Sequence, residues 1–210
     1  MSDEAPRLFL ITPPLMEAAS FAPLLEAALD AGDVACLLIR AGTRDEGTIK
    51  LIVRTLAPLA QERGTACLVE HDARLAPRAG ADGVHIDGAG PELSEALAAL
   101  KPDRIVGVGK LEGRDAAMEA GEAGADYLLF GGPDEPESHE AILERVEWWA
   151  GIFNVPCVAY ARDPADAGEL AAAGAEFIAL CDGVWDHPET IASTVAAVDV
   201  AIRTAQEAAR

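Results

Sequence analysis

The sequence predicts an α/β protein, a (β/α)8 TIM barrel with eight parallel strands. Short apolar runs alternate eight times with segments of helical periodicity along the 210 residues. The apolar runs are nearly continuous, which is typical of parallel strands buried on both faces. A motif that joins the end of a helix to the start of a strand also recurs along the chain. Together these observations favour one closed barrel spanning residues 1–210 as a single domain.

The recurring motif is Ala-Gly-Ala followed by Asp or Glu and then by apolar residues. It occupies 78–86, 122–130 and 172–180, with a weaker copy at 30–39. Its glycine suits the left-handed position that ends a helix. The copies lie roughly 45 to 50 residues apart, about twice the roughly 25 residues of one strand-plus-helix unit. Further units are therefore expected between them.

The first four units follow from apolar runs and their stop signals. Pro13 and Pro14 end the first strand, and Gly64 ends a second helix whose apolar residues recur at helical spacing. The predicted strands and helices are 8–11 and 21–31, 34–40 and 45–63, 66–70 and 73–79, and 83–86 and 91–100.

The last four units continue the same alternation. After the sixth strand, Gly131, Gly132 and Pro133 open an acidic loop, and the helix that follows carries Trp148 and Trp149. The predicted strands and helices are 105–109 and 114–123, 127–130 and about 139–153, 156–160 and 164–173, and 177–180 and 188–208. An open doubly wound sheet is the alternative. Its dinucleotide-binding fingerprint is incomplete, because Glu112 stands where the third glycine of the pattern begun at Gly107 should be.

Composition excludes several classes of partner. A formal net charge of −20 argues against nucleic acid and against an anionic membrane, because both reward a basic surface. No signal peptide or membrane-spanning run is apparent, so we expect a cytoplasmic protein. The four cysteines lie in apolar runs without close spacing and are predicted to be reduced core thiols. The sequence leaves a homo-oligomer open.

In a TIM barrel the chemistry lies at the carboxyl ends of the strands. The candidate catalytic residues there are Arg40, Glu70, His71 and Lys110. Candidate phosphate-binding residues are Gly131, Gly132, Ser138, Arg162 and Gly183, and candidate metal ligands are His71, Asp72 and Asp87. Arginine suits bidentate binding of anions, adjacent glycines allow close backbone approach, and carboxylate and imidazole groups suit divalent metals.

Each candidate has a structural alternative. Arg40 can form a salt bridge to Glu70 or Asp72, and the segment 70–72 can cap the third helix. His85, inside a strand, is expected to be a hydrogen-bonded core histidine. Lys110 can instead be an ordinary surface lysine. Gly131 and Gly132 can form a tight turn before Pro133, and Arg162 can be a surface arginine paired with acidic groups.

The order of these pieces resembles thiamine phosphate synthase and the related thiazole tautomerases. The resemblance is carried by 80–85, 105–109, 123–133 and 173–176, and it covers nearly the whole chain. It implies a transferase of thiamine biosynthesis that couples a pyrimidinylmethyl pyrophosphate to a thiazole phosphate with Mg²⁺ and releases pyrophosphate.

Several positions depart from the pattern of that family. Of the Gln-Leu-Arg-Glu-Lys that ends the family's second strand only Arg40 is kept, and its pyrophosphate-holding Pro-Thr-x-Thr-Lys becomes the acidic segment 136–140. A Gly-Gly turn becomes Ala161 and Arg162, and Asp72 is one position out of register with the expected metal ligand. We therefore expect reduced or altered activity. The alternative is a non-catalytic or repurposed barrel that binds a small phosphorylated metabolite or a protein partner.

Overall fold

The computed structural model describes residues 5–70 and 72–209 and has the predicted architecture. Eight parallel strands pair in chain order, and β1 pairs with β8 to close the barrel. The strands are β1 Arg7–Ile11, β2 Val34–Ile39, β3 Ala66–Glu70, β4 Gly83–Asp87, β5 Ile105–Gly109, β6 Tyr127–Phe130, β7 Cys157–Tyr160 and β8 Phe177–Leu180. The prediction of a TIM barrel is confirmed, and the open sheet is excluded.

One helix follows each strand. The helices are α1 Ala22–Leu29, α2 Glu46–Gln61, α3 Leu75–Ala79, α4 Pro91–Leu100, α5 Gly113–Ala123, α6 His139–Ala150, α7 Ala167–Ala172 and α8 Ile191–Ala209. Most predicted helices are too long by one to a few residues. Proline explains one case, because Pro164 begins a 3-10 turn, Pro164–Asp166, and α7 starts only after it.

The strands are buried on both faces, as their continuous apolar runs predict. In β1, Leu8 and Leu10 pack outward against the helices, whereas Phe9 and Ile11 point into the barrel. This alternation produces a large cluster between strands and helices and a smaller one inside the barrel. All four cysteines are buried and free, which agrees with the prediction of core thiols. Among the described residues, no helix has the length and apolar character needed to cross a bilayer.

The glycines of the recurring motif end helices as predicted in three of four copies. Gly80, Gly124 and Gly174 have φ values of 90°, 98° and 108°, in the left-handed region. Gly32, in the weaker copy, lacks this conformation. It is needed for space instead, because a Cβ there would lie 2.8 Å from Leu8 Cδ1.

The acidic residue of the motif has a structural role that the sequence did not reveal. The carboxylates of Asp82, Asp126 and Glu176 accept hydrogen bonds from the backbone N–H groups of Cys67, Val106 and Cys157, at 2.7, 2.8 and 2.9 Å. Each acid directly precedes a strand, and the N–H that it binds belongs to the first or second residue of the strand before that one. The motif therefore ties neighbouring strands together at the amino end of the barrel.

Replacing the motif acid should destabilise the fold. We expect Asp82→Ala to lower the free energy of unfolding by about 1–3 kcal/mol, because the Cys67 N–H loses a charged acceptor in a partly buried position. Urea unfolding measures the change. Asp103→Ala, at an exposed turn residue, is the control and should lie within about 0.5 kcal/mol of the parent chain. Equal effects of the two substitutions would contradict a structural role for the motif acid.

Candidate active site at the barrel mouth

Arg40 is the central cation at the carboxyl end of the barrel, which we call the barrel mouth. The residue is only 8% exposed. It directly follows β2, and its backbone N–H donates to Thr12 Oγ1 at 3.0 Å. Its guanidinium donates through Nε to Glu70 Oε1 at 3.2 Å and through Nη2 to Asp134. The predicted alternative, a salt bridge to Glu70, is thus present, and a second carboxylate shares the guanidinium.

Asp72 belongs to the helix that follows rather than to this ion-pair cluster. Its Oδ1 accepts hydrogen bonds from the backbone N–H groups of Arg74 and Leu75, both at 2.9 Å, at the start of α3. The capping alternative is therefore confirmed for Asp72. His71, predicted to be catalytic and a metal ligand, lies outside the described residues.

Lys110 and Asp87 form the second ion pair of the barrel mouth. The Lys110 ammonium lies 2.7 Å from Asp87 Oδ2. Burial opposes the positive charge, but the hydrogen bond to Asp87 and the surrounding carboxylates outweigh it and raise the pKa of Lys110. Lys110 also has a φ of 48°, which is uncommon for a residue with a Cβ. The loop after β5 thus holds the lysine in a constrained conformation beside the strand ends.

His85 lies inside the barrel and is 3% exposed. Its Nδ1 forms a 2.8 Å hydrogen bond with the hydroxyl of Tyr127, and the two rings stack at 5.7 Å between centroids. The prediction of a hydrogen-bonded core histidine is confirmed. Burial raises the pKa of Tyr127 well above its ordinary value, so the phenol stays protonated.

The loop between β6 and α6, residues 131–138, lies against the barrel mouth. Gly131 has a φ of 76°, and its backbone packs closely on Ile142. At Gly132 the open face of the glycine is covered by the Glu135 carboxylate, whose Oε1 would lie 2.7 Å from an added Cβ. Burial, and then the charge of Glu137, raise the pKa of Glu135. Ser138 caps α6, and its Oγ accepts from the Ala141 N–H at 3.3 Å.

Arg162, after β7, holds this loop in place. Its Nη2 donates to the carbonyl oxygens of Gly132 and Glu135 at 3.3 and 2.6 Å, and its Nη1 pairs with Asp182 at 3.1 Å. Gly183, next to Asp182, has a φ of 75° and packs on Pro164. The predicted pairing of Arg162 with acidic groups is present, but two of its contacts are to backbone carbonyls.

Three residues near the barrel mouth have roles that the sequence did not reveal. Asp134 and Glu135 lie in the predicted ligand loop, whose acidic character was visible, but neither received a role. Arg145 had no detectable signal in the middle of α6. It donates to Glu137 Oε2 at 2.6 Å and to the Leu111 carbonyl at 3.0 Å, and its guanidinium lies 4.9 Å from the Phe130 ring centre. Arg145 therefore anchors the other end of the loop.

The cavity left at the barrel mouth is small. Its volume is about 20 Å³, room for roughly one water molecule. Among the described residues its lining includes Arg40, Glu70, Asp87, Lys110, Asp134 and Glu135. Four carboxylates and two cations thus meet in a space that a pyrophosphate group can enter only if side chains move.

A larger open depression of about 520 Å³ lies at the opposite end of the barrel. Its polar side chains serve the fold. Gln61 donates to Asp82 at 3.0 Å, and Lys101 pairs with Asp126. Because Asp82 and Asp126 also hold neighbouring strands, this depression is a structural region, and the barrel mouth is the better candidate for a ligand site.

Comparison with known proteins identifies the family. The family model described as thiamine monophosphate synthase matches residues 8–184. The chain belongs to the thiamine monophosphate synthase family. It is 43% identical over 196 residues to a thiamine-phosphate synthase of Rhodospirillum centenum, covering 90% of this chain and 94% of the relative. A thiamine-phosphate synthase of Hyphomonas neptunium is 38% identical over 201 residues, which cover 91% of this chain and 91% of the relative.

A solved structure shows the same fold. The thiamine phosphate pyrophosphorylase of Pyrococcus furiosus superposes with a TM-score of 0.80 at 23% identity, covering 95% of this chain and 96% of the other. The predicted family resemblance is therefore confirmed by both sequence and fold.

The carboxylates near the predicted metal position already have partners within the protein. Asp87 is paired with Lys110, Glu70 with Arg40, and Asp72 with the start of α3. Within 5–70 and 72–209, no three Asp, Glu, His or Cys side chains are grouped as a metal site requires. These carboxylates act as partners of protein cations and N–H groups.

The hydrogen bond inside the barrel can be tested with the two tyrosines of the chain. Tyr127→Phe should lower the free energy of unfolding by about 1–3 kcal/mol, because it leaves His85 Nδ1 without its buried partner. Chemical denaturation measures the loss. Tyr160→Phe is the matched control; it removes contacts with Asp182, including one of 3.3 Å from the Asp182 N–H, at the edge of the barrel mouth, and should cost less. A larger loss for Tyr160→Phe would contradict this ranking.

Proposed function

We propose that the chain is a thiamine-phosphate synthase with reduced activity. The reaction is the coupling of pyrimidinylmethyl pyrophosphate to thiazole phosphate, with pyrophosphate as the leaving group. The observation that carries the proposal is Arg40, the one motif residue kept at the end of β2, buried at the barrel mouth with its guanidinium facing the cavity-lining carboxylates. The high identity to synthases over nearly the whole chain supports the same reaction.

In this proposal the cations of the barrel mouth hold the phosphate groups. Arg40 binds a phosphate group bidentately, and Lys110 contributes a second positive charge. Glu70 and His71 complete the catalytic set, with Glu70 orienting Arg40 through their 3.2 Å contact. Gly131 and Gly132 offer backbone N–H groups, and Arg162 and Gly183 lie at the neighbouring strand ends. Ser138 is the weakest of these candidates, because its Oγ already caps α6.

Charge is the reason to expect a reduced rate. Asp134, Glu135 and Asp87 lie among the cations that would hold the pyrophosphate. In a partly buried site, like charges a few ångströms apart repel by about 4 kcal/mol at an effective dielectric constant near 20. A multiply charged substrate therefore has to displace carboxylates or bring cations with it. Mg²⁺, and with it metal binding by His71, Asp72 and Asp87, stays a prediction.

A non-catalytic barrel that binds a small phosphorylated metabolite is the second candidate. The departures from the family pattern at 136–140 and at Ala161 and Arg162 support it, because turnover needs more of the replaced groups than binding does. Binding without turnover would require only that the loop 131–138 move aside. Cytoplasmic location and a homo-oligomeric state also stay predictions.

Pyrophosphate release by the purified protein tests the first proposal. With both family substrates and Mg²⁺, we expect turnover at least about tenfold slower than that of the Rhodospirillum centenum synthase assayed in parallel. Arg40→Ala should lower kcat/KM by a further ten- to hundredfold, the range expected for a lost hydrogen bond to a charged group. Arg63→Ala, a surface arginine paired with Asp30, is the control and should leave the rate unchanged. Release as fast as that of the relative would contradict reduced activity, and no release would contradict the synthase.

Ligand-induced stabilisation together with the release assay separates the two candidates. A binding barrel should show a higher Tm with thiazole phosphate but no pyrophosphate release, whereas a synthase should show both, because any ligand of the folded state stabilises it. At a ligand concentration of about one hundred times Kd the expected gain is about 2.7 kcal/mol. No shift in Tm and no turnover would exclude both candidates at this site.

A further inference from the structure

The carboxylates of the loop 131–138 occupy two places that the sequence predicted for phosphate. Asp134 binds the Arg40 guanidinium, and Glu135 covers the open face of Gly132. These are independent contacts, one to a side chain and one against the backbone. In both, a carboxylate of the chain stands where an oxygen atom of an anionic ligand was expected.

We infer that Asp134 is a specificity-determining residue that acts as an internal competitor of phosphorylated ligands for Arg40. The inference rests on the proposed function only for the location of the ligand site. A phosphate group can form the bidentate contact with Arg40 only after the Asp134 carboxylate has left. The favourable free energy of the Arg40–Asp134 contact therefore weakens the binding of anions at this site.

The two partners differ in their freedom to move. Arg40 is almost fully buried and is held by Thr12 at its backbone and by Glu70 at Nε. The Asp134 side chain is 59% exposed, so it can turn into water without becoming a buried, unpaired charge. When an anion binds, we therefore expect Arg40 to keep its position and the Asp134 carboxylate to be replaced.

The rest of the loop keeps Asp134 close to Arg40. Arg162 holds the carbonyl groups of Gly132 and Glu135, which lie before and after residue 134, and Arg145 holds the Glu137 carboxylate further along the loop. Because the loop is fastened on both sides of residue 134, the carboxylate has a high effective concentration at the guanidinium. A free anion has to compete with this tethered one, and anions that make several contacts are favoured over small ones.

Binding of inorganic pyrophosphate tests the inference without any turnover. By isothermal titration calorimetry we expect Asp134→Asn to bind pyrophosphate at least about tenfold more tightly than the parent chain, as for the release of one charge-assisted contact. The gain should disappear in the double variant Arg40→Ala/Asp134→Asn. Asp134→Ser should reproduce the gain, which guards against an effect peculiar to asparagine.

Asp30→Asn is the matched control. It also removes one negative charge beside an arginine, but its partner Arg63 does not line the barrel mouth. An equal gain with Asp30→Asn would overturn the inference, because net charge alone would then explain tighter binding. Unchanged affinity in Asp134→Asn, or a gain that survives loss of Arg40, would overturn it as well. None of these outcomes depends on pyrophosphate release by the parent chain, so the synthase proposal stands or falls separately.

Discussion

Closure of the barrel between β1 and β8 is the constraint on which the rest of the structure depends. Leu8 and Leu10 of β1 pair in register with Ile178 and Leu180 of β8, so all eight strands run in one direction around a ring. Parallel strands in a closed ring place all their carboxyl ends at one mouth. Residues far apart in the chain, such as Arg40 and Asp134, can therefore form an ion pair there. At the opposite end, the acidic residues of the recurring motif tie neighbouring strands together through their N–H groups.

Arg40 determines the electrostatics of the barrel mouth. A nearly buried guanidinium is costly unless carboxylates surround it, and Glu70 and Asp134 meet that requirement. The same carboxylates make the site less favourable for phosphate. Stability of the buried charge and affinity for an anionic ligand are therefore opposed in this chain, and the exposed partner, Asp134, is the one that an anion can replace.

Membership in the thiamine monophosphate synthase family and the chemistry of the barrel mouth are separate properties. The fold and 43% identity to a synthase define the family, whereas the site depends on a few side chains at strand ends. In this chain those side chains include an acidic loop fastened by Arg145 and Arg162. A shared barrel thus carries a mouth in which four carboxylates surround two cations.

The sequence by itself determined the barrel, most strand boundaries, the left-handed helix ends at Gly80, Gly124 and Gly174, and the core position of His85. These follow from local patterns, namely apolar periodicity, glycine conformation and burial. It also indicated that Arg40 and Lys110 stand at strand ends. Only the tertiary structure decided that Asp72 and Ser138 cap helices, where the sequence had left a ligand role open. It also decided that Arg40 pairs with Asp134 and that Arg145 reaches the loop, because these contacts join residues whose approach depends on loop paths and helix rotation. Local sequence carries no record of such distances.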